Sequence, residues 1–246
     1  MMASDYIIEV KDLKKSYKDQ EAVKGVSFGI RAGCCFGLLG PNGAGKTTTV
    51  EMMEDILEPS SGQVFYKGGP ITRSFREEIG IQFQQTELLN FLTVEETLKT
   101  FAAFYKNSLR LDKISTLCML DSIGKQYNNK ISGGQRQRLL LGLALINNPD
   151  LVFMDEPTTG LDPQARQHVW EIIKGIKQEG KTIVLTTHYM EEAQILCDEL
   201  AIMDTGRIIA KAGPDELIRE HCQDCPPSEQ NLETVFLKLT GRRLRE

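Results

Sequence analysis

The stretch Cys34 to Thr49, CCFGLLGPNGAGKTTT, constrains the chain more than any other. The apolar run Cys35 to Leu39 suits a buried strand. Gly40, Pro41, Asn42, Gly43, Ala44, Gly45, Lys46 and Thr47 then fill G-x-x-x-x-G-K-[ST], the pattern of a phosphate-binding loop. Glycines there let the backbone approach a ligand closely and aim successive N–H groups at one point. A helix expected from Thr47 to Leu57 adds its positive N-terminal end, so the point favours an anion. Lys46 supplies a point charge for β- and γ-phosphates, and the Thr47 hydroxyl is a hard oxygen ligand for Mg²⁺. Strand before, helix after and every fixed position filled set this stretch apart from a chance glycine-rich turn. By itself it says only that a nucleoside triphosphate binds.

The segments around it alternate between strand and helix patterns. Tyr6 to Val10 and Gly25 to Ile30 read as short strands that pair through a turn near Lys18-Asp19-Gln20. Tyr17, between them, reads from the residues alone as an ordinary strand-end aromatic. Gln63 to Lys67 and Ile79 to Phe83 are strands, with Gly68-Gly69-Pro70 a turn and Gln84 and Gln85 at a strand end, where ligand loops of α/β sheets sit. Thr93-Val94-Glu95-Glu96 is a capping box that opens a helix to about Tyr105. A second helix is expected from about Leu111 to Ile123. Residues 88–130 thus read as a helical insert in an α/β chain.

Ile131-Ser132-Gly133-Gly134-Gln135 opens the next helix, with Ser132 as N-cap. This is either an ordinary cap or a second anion site built from glycine N–H groups, a hydroxyl and a helix end. Leu151 to Met154 is an apolar strand that delivers Asp155 and Glu156 at its end. Two adjacent carboxylates there call for a cation or for hydrogen bonds. Asp162-Pro163 starts a helix to about Gln178. Lys181 to Thr187 is a buried strand, and His188 behind it reads alone as a satisfied core residue. Met190 to Cys197 is a short helix. Glu199 to Met203 and Arg207 to Lys211 form a hairpin across Asp204-Thr205-Gly206. Helices near Pro214 to Glu220 and Leu232 to Leu239 follow, the second with an apolar stripe of Leu232, Val235, Phe236 and Leu239 closed by Gly241.

Composition narrows the partners. At 246 residues, 41% hydrophobic and 26% charged, the chain can bury a full core as one α/β domain with a subdomain. A net charge of −5 argues against a nucleic-acid surface. The longest apolar run, Leu139 to Ile146, is far short of the ~20 residues of a membrane span, and Met1 to Asp5 lacks the apolar region of a targeting signal. The six cysteines are expected reduced and buried. His221-Cys222-Gln223-Asp224-Cys225 has C-x-x-C spacing, but no second cysteine pair lies near it to complete a zinc site.

Taken together, these motifs and their order resemble the nucleotide-binding subunit of an ATP-binding cassette (ABC) transporter over nearly the whole chain. The family signature is Ile131-Ser132-Gly133-Gly134-Gln135, between the phosphate loop and Asp155-Glu156. The resemblance implies an α/β fold: a P-loop NTPase core with a parallel sheet, an N-terminal antiparallel β subdomain and an inserted α-helical subdomain. Residues 1–87 and 131–211 would form core and β subdomain, 88–130 the helical subdomain and 212–246 a short helical tail, all within one domain of 1–246. It further implies that Tyr17 stacks on adenine, overturning the bland reading of that residue. Gly40 to Thr47 with Thr48 bind the phosphates, and Thr47, Gln84 and Asp155 hold Mg²⁺. Glu156 and His188 are catalytic, and Asp162 is a dimer contact. Ser132, Gly133, Gly134 and Gln135 close over the ATP of a second subunit.

The implied assembly is a pair of such subunits, a homodimer, on an integral membrane permease. The implied place is the cytoplasmic face of the membrane, peripheral, with the isolated chain soluble. Phe83 stands where proline often precedes the loop glutamine, which leaves Gln85 open beside Gln84; the spacing to Leu92-Thr93-Val94 favours Gln84. Thr159-Gly160 before Leu161-Asp162, the run Thr187-His188-Tyr189-Met190-Glu191-Glu192-Ala193 and the Leu232-Glu233-Thr234-Val235-Phe236-Leu237 ending resemble the exporter subfamily for drugs, lipids or polysaccharides. DNA-repair relatives would carry a long coiled coil between phosphate loop and signature, and translation factors usually carry two cassettes. Neither pattern is present, and the acidic balance also disfavours nucleic acid.

Overall fold

The computed structural model describes residues 6–18, 20–84 and 86–241. Backbone contacts divide the chain into two units, one of residues 1–72 and 184–246, the other of residues 73–183.

The first unit begins with β1 (Tyr6–Tyr17) and β2 (Gln20–Arg31), antiparallel from Tyr6↔Arg31 to Tyr17↔Gln20. Both strands run longer than their alternation suggests. A bulge explains it: the register shifts between Val10 and Leu13, where Asp12 is left-handed at φ 45° and its N–H donates to Ser27 Oγ at 2.8 Å. The bulge resets the inward face, so Ile8, Val10 and Leu13 are all buried although strict alternation is broken. Asp19, in the expected turn, lies outside the described residues.

β3 (Cys35–Leu39) is buried along its length, as its apolar run demands. α1 (Lys46–Met53) follows and stops short of Leu57. Asp55 is left-handed at φ 59°, and the N–H groups of Ile56 and Leu57 both turn back to Glu51 O, which ends the helix. β4 (Ser61–Tyr66) pairs antiparallel with β1, and the two-residue β5 (Gly69–Pro70) pairs with β4, giving the order β2-β1-β4-β5. The turn is therefore Lys67-Gly68, and Gly69 and Pro70, expected in it, are strand.

The second unit holds α2 (Phe75–Glu78), β6 (Ile79–Gln82), α3 (Val94–Ala102), α4 (Leu111–Leu117), α5 (Gly133–Ala144), β7 (Leu151–Asp155) and α6 (Pro163–Gln178). β6 and β7 pair in parallel, Gln82 opposite Met154. The Thr93 capping box is present, its hydroxyl accepting from Glu96 N at 3.2 Å while the Glu96 carboxylate accepts from Thr93 N at 2.8 Å. α4 is shorter than the expected helix to Ile123. Met119 is left-handed at φ 53°, and Arg138 of α5 donates to the Met119 carbonyl at 2.7 Å, so a separate 3₁₀ turn covers Asp121–Ile123. α6 runs as expected, with Asp162 Oδ1 accepting from Ala165 N at 2.9 Å, Pro163 at its first position and Val169, Trp170, Ile172, Ile173 and Ile176 buried.

β8 (Thr182–Thr187) leads back into the first unit, followed by α7 (Met190–Leu196), β9 (Glu199–Asp204), β10 (Arg207–Ala212), α8 (Pro214–His221) and α9 (Leu232–Thr240). β9 lies parallel to β3 and antiparallel to β10. Thr205 and Gly206 both have positive φ, 46° and 81°, as a tight hairpin between twisted strands requires. On α9, Leu232, Val235 and Phe236 are buried, and burial of each such side chain is worth about 1.5–3 kcal/mol. All six cysteines are free thiols, with Cys34 and Cys225 half-buried and the other four buried. Among the described residues no helix is long and apolar enough to cross a membrane.

Candidate nucleotide site

In the first unit the phosphate loop leaves the end of β3 and enters α1 through Gly45. Gly45 is the N-cap, left-handed at φ 99°, and a Cβ on it would sit 2.5 Å from the Ala22 carbonyl oxygen. A Cβ on Gly40 would sit 2.2 Å from the Met203 carbonyl oxygen. The loop is therefore wedged between β2 and β9 at positions only glycine can fill. Backbone bonds fix it further: Ala44 N donates to Pro41 O at 3.1 Å, Gly206 N to Ala44 O at 3.0 Å, and Lys24 N to Gly206 O at 2.8 Å.

No side chain caps α1, and its first turn carries no acidic residue. The first N–H groups of a helix need partners from outside it, and here an anion is the complementary one. Lys46 curls over the loop, its Nζ donating to Gly40 O at 2.7 Å and Pro41 O at 3.1 Å. Asn42, Gly43 and Thr47 are exposed at the rim, while the Thr49 hydroxyl turns inward to Gly45 O at 2.8 Å. Tyr17 stands 46% exposed at the end of β1, with Lys15 Nζ 5.4 Å from its ring centroid. His188, half-buried behind β8, packs its ring against Tyr189 at 4.2 Å between centroids.

The second unit gathers a different set. β7 delivers Asp155 and Glu156, both half-buried. Glu156 is left-handed at φ 47°, an uncommon backbone for a residue with a side chain. Its Oε2 accepts from Gln84 Nε2 and from Thr159 Oγ1, each at 3.0 Å. The structure thus brings together Gln84 and Glu156, which are 72 residues apart in the chain. The parallel pairing of β6 and β7 sets their levels. Gln82, 2% exposed, donates to Phe83 O at 2.6 Å and to Asp155 O at 3.5 Å, tying the two strand ends together. Gln85 lies outside the described residues.

Ser132 caps α5 as expected, and the cap is a full box. Gln135 N donates to Ser132 Oγ at 3.3 Å, and Ser132 N donates to Gln135 Oε1 at 2.8 Å. Gly133 is exposed, with nothing within 4 Å of where its Cβ would stand, whereas a Cβ on Gly134 would meet Ala165 of α6 at 2.7 Å. Arg136 donates to the Thr86 carbonyl, tying α5 to the segment after β6. Asp162 is exposed and serves its own chain as the N-cap of α6.

Sequence reasoning passed over Thr159, Gln82 and the closing of the Ser132–Gln135 box. The box was visible as S-x-x-Q spacing. Thr159 sits three residues after Glu156 in a turn closed by Thr159 N to Glu156 O at 3.2 Å, a contact that proline and glycine nearby only hint at. Gln82 gives no signal in the run Ile-Gly-Ile-Gln-Phe. The donors named for a divalent cation are all hard oxygens, a hydroxyl on Thr47, a carboxylate on Asp155 and an amide on Gln84. The Gln84 amide turns its N–H to Glu156.

The family description "ABC transporter" matches residues 23–159. The Nod factor export ATP-binding protein I of Rhizobium sp. (strain N33) is 42% identical over 230 residues, which are 89% of this chain and 76% of that protein. Among solved structures, cbiO1 from Clostridium perfringens, part of the ABC transporter complex cbiONQ, superposes with a TM-score of 0.80 at 29% identity, covering 91% of this chain and 97% of that one. An ATP-binding cassette solved as a dimer in a post-hydrolysis state with ADP and Pi superposes with a TM-score of 0.73 at 25% identity, over 84% and 98%.

Proposed function

The chain belongs to the ABC transporter family as an ATP-binding subunit with the ATPase fold of that family, and on this premise we propose that two copies sandwich two Mg-ATP molecules and hydrolyse them to drive export through a separate membrane subunit. The observation that carries the catalytic part is Glu156, held at the end of β7 by the Gln84 amide and the Thr159 hydroxyl.

Phosphoryl transfer needs positioning and charge stabilisation more than covalent help. The amides of Gly43 to Thr48 and the Lys46 ammonium hold the phosphates. Tyr17 offers its exposed ring to the adenine. Thr47, Gln84 and Asp155 are the oxygen donors suited to Mg²⁺, which when bound neutralises charge on the phosphate oxygens. Glu156 polarises the attacking water, aimed by its two hydrogen-bond donors. His188 contacts the γ-phosphate. Ser132, Gly133, Gly134 and Gln135 cap the ATP of the second copy, and Asp162 lies at the contact between copies. ATP that binds best in the closed pair shifts the open–closed equilibrium, and hydrolysis reverses it.

The helical insert of residues 88–130, together with the segment from Gln84 to Leu92, is the proposed contact with the membrane subunit. The exposure of Leu89 and Phe91 supports it, at 55% and 80%. That contact would hold the protein at the cytoplasmic face of the membrane. The export name of the relative supports the direction of transport. The cargo, from the exporter resemblance, is a drug, lipid or polysaccharide.

Glu156→Gln tests the reading. The variant should bind Mg-ATP normally and turn it over ~10²–10⁴-fold more slowly, as expected for a lost general base. On size exclusion it should elute as a dimer with ATP and a monomer without it. Adding Ser132→Arg should return it to monomer. Near-normal turnover in Glu156→Gln would remove Glu156 from catalysis, and a monomer with ATP would count against the sandwich of two copies.

A further inference from the structure

The C-x-x-C pair at the end of α8 has no part in nucleotide handling. Residues 222–225 close a turn, with Cys225 N donating to Cys222 O at 3.1 Å. Such a turn holds its end Cα atoms within about 7 Å, the upper limit of the span a disulfide bridges. Cys222 is 1% exposed, and its Sγ faces the Asn231 carbonyl at 4.0 Å. It also lines a cavity of about 450 Å³ with Arg219, Gln223 and Gln230. Cys225 is half-exposed, and its carbonyl is pinned by Gln230 Nε2 at 3.1 Å. Lys238 reaches over from α9, donating to His221 O at 2.8 Å.

We propose that Cys222 and Cys225 form a peroxide-sensitive dithiol, with Cys225 the attacking sulfur, Lys238 its activating cation and Cys222 the resolving thiol. The division of labour follows from the surroundings. Burial first, and then the neighbouring Cys225 sulfur, push the Cys222 thiol above its ordinary range, so it stays protonated. The neighbouring Cys225 sulfur, first among the causes, raises Lys238, so the ammonium keeps its charge. The thiolate, not the thiol, is the nucleophile in such chemistry.

The steps balance. The Cys225 thiolate attacks one oxygen of a hydroperoxide. The O–O bond breaks, Cys225 becomes a sulfenic acid, and the leaving oxygen takes a proton from solvent. The Cys222 sulfur then attacks Cys225, the S–S bond forms, the S–O bond breaks, and hydroxide leaves as water with the Cys222 proton. The peroxide is reduced and the two thiols are oxidised. Zinc capture is the rival use of such a pair, but among the described residues no group of three or more metal-ligating side chains gathers.

Peptide mass spectrometry of the full chain after hydrogen peroxide tests this. In the wild type the peptide carrying both cysteines should lose two hydrogens and regain them with dithiothreitol. In Cys222→Ser a dimedone adduct should accumulate on Cys225, and in Cys225→Ser none should form on Cys222. Lys238→Gln should slow the reaction several-fold while Lys238→Arg keeps most of the rate. The wild-type measurement needs no variant to fold. Thiols that stay free under peroxide would overturn the proposal, as would an adduct on Cys222 in Cys225→Ser. Equal rates in Lys238→Gln and wild type would overturn the role of the lysine.

Discussion

Two helices of this protein begin at glycine-rich turns, and they treat their first N–H groups in opposite ways. α1 starts at a left-handed glycine with no side-chain cap and no acidic residue in its first turn. α5 starts at Ser132, whose hydroxyl and backbone N–H are both engaged by Gln135. The glycines differ too. Gly40 and Gly45 are forced by the carbonyls of Met203 and Ala22, while Gly133 faces open space. One helix end has no side-chain cap. The other has a side-chain cap from its own chain on the Gln135 N–H, with Ser132 and Gly133 exposed beside it.

Lys46→Ala should break the comparison most sharply. Loss of charge-assisted hydrogen bonds to the phosphates should weaken ATP binding on the order of 10²-fold or more, as titration calorimetry would read. Ser132→Ala should leave binding to the isolated subunit unchanged. Equal losses in both variants would mean that the two helix ends do the same work. Gly45→Ala comes next, expected to destabilise the fold on the order of 1–3 kcal/mol because an L side chain is strained at that φ and meets the Ala22 carbonyl. Gly133→Ala should fall within about 0.5 kcal/mol in the same urea titration, yet slow hydrolysis if the second copy packs on it. Ser132→Ala should cost about 0.5–2 kcal/mol through the lost cap alone.

The smallest effect separates two boxes of one design. The Thr93 box uses Glu96, whose carboxyl is held below its ordinary value first by the bond from the Thr93 backbone. Its folded-state value is depressed, so its support for α3 is present above the unfolded value, near 4.5, and is lost as pH falls through the lower folded value. The Ser132 box uses an amide and should ignore acid. Amide-exchange protection at Thr93 should therefore fall in acid while that at Ser132 holds. Parallel behaviour at the two positions would show that the Glu96 bond does not set the α3 end.

Features written within a few residues were legible from the sequence: β3, the loop to Thr47, the Thr93 and Asp162 caps, the Thr205–Gly206 hairpin and the α9 stripe. What escaped were places where distant parts overrule local preference. β1 continues past Val10 because a bulge at Asp12 resets its inward face. α4 breaks at Met119 because Arg138 claims the carbonyl there. Glu156 adopts a left-handed backbone that glutamate does not advertise, and Gln82 is buried for a bond to a strand 73 positions away. Of the candidate site, the sequence offered candidate residues because the motifs are short. The Gln84–Glu156–Thr159 cluster was not, because strand pairing makes it.

The Thr205–Gly206 turn has the outward marks of a permissive position: two residues at the tip of a hairpin, with Thr205 exposed. An engineer placing an affinity tag, or cutting the chain for circular permutation, would be drawn to it. Yet Gly206 is buried, its N–H holds the carbonyl of Ala44 in the phosphate loop, and its own carbonyl is held by Lys24. A residue inserted there would pull on the loop and on β2 together. The safer opening is the exposed stretch Asp224 to Gln230, provided that Cys225 is spared.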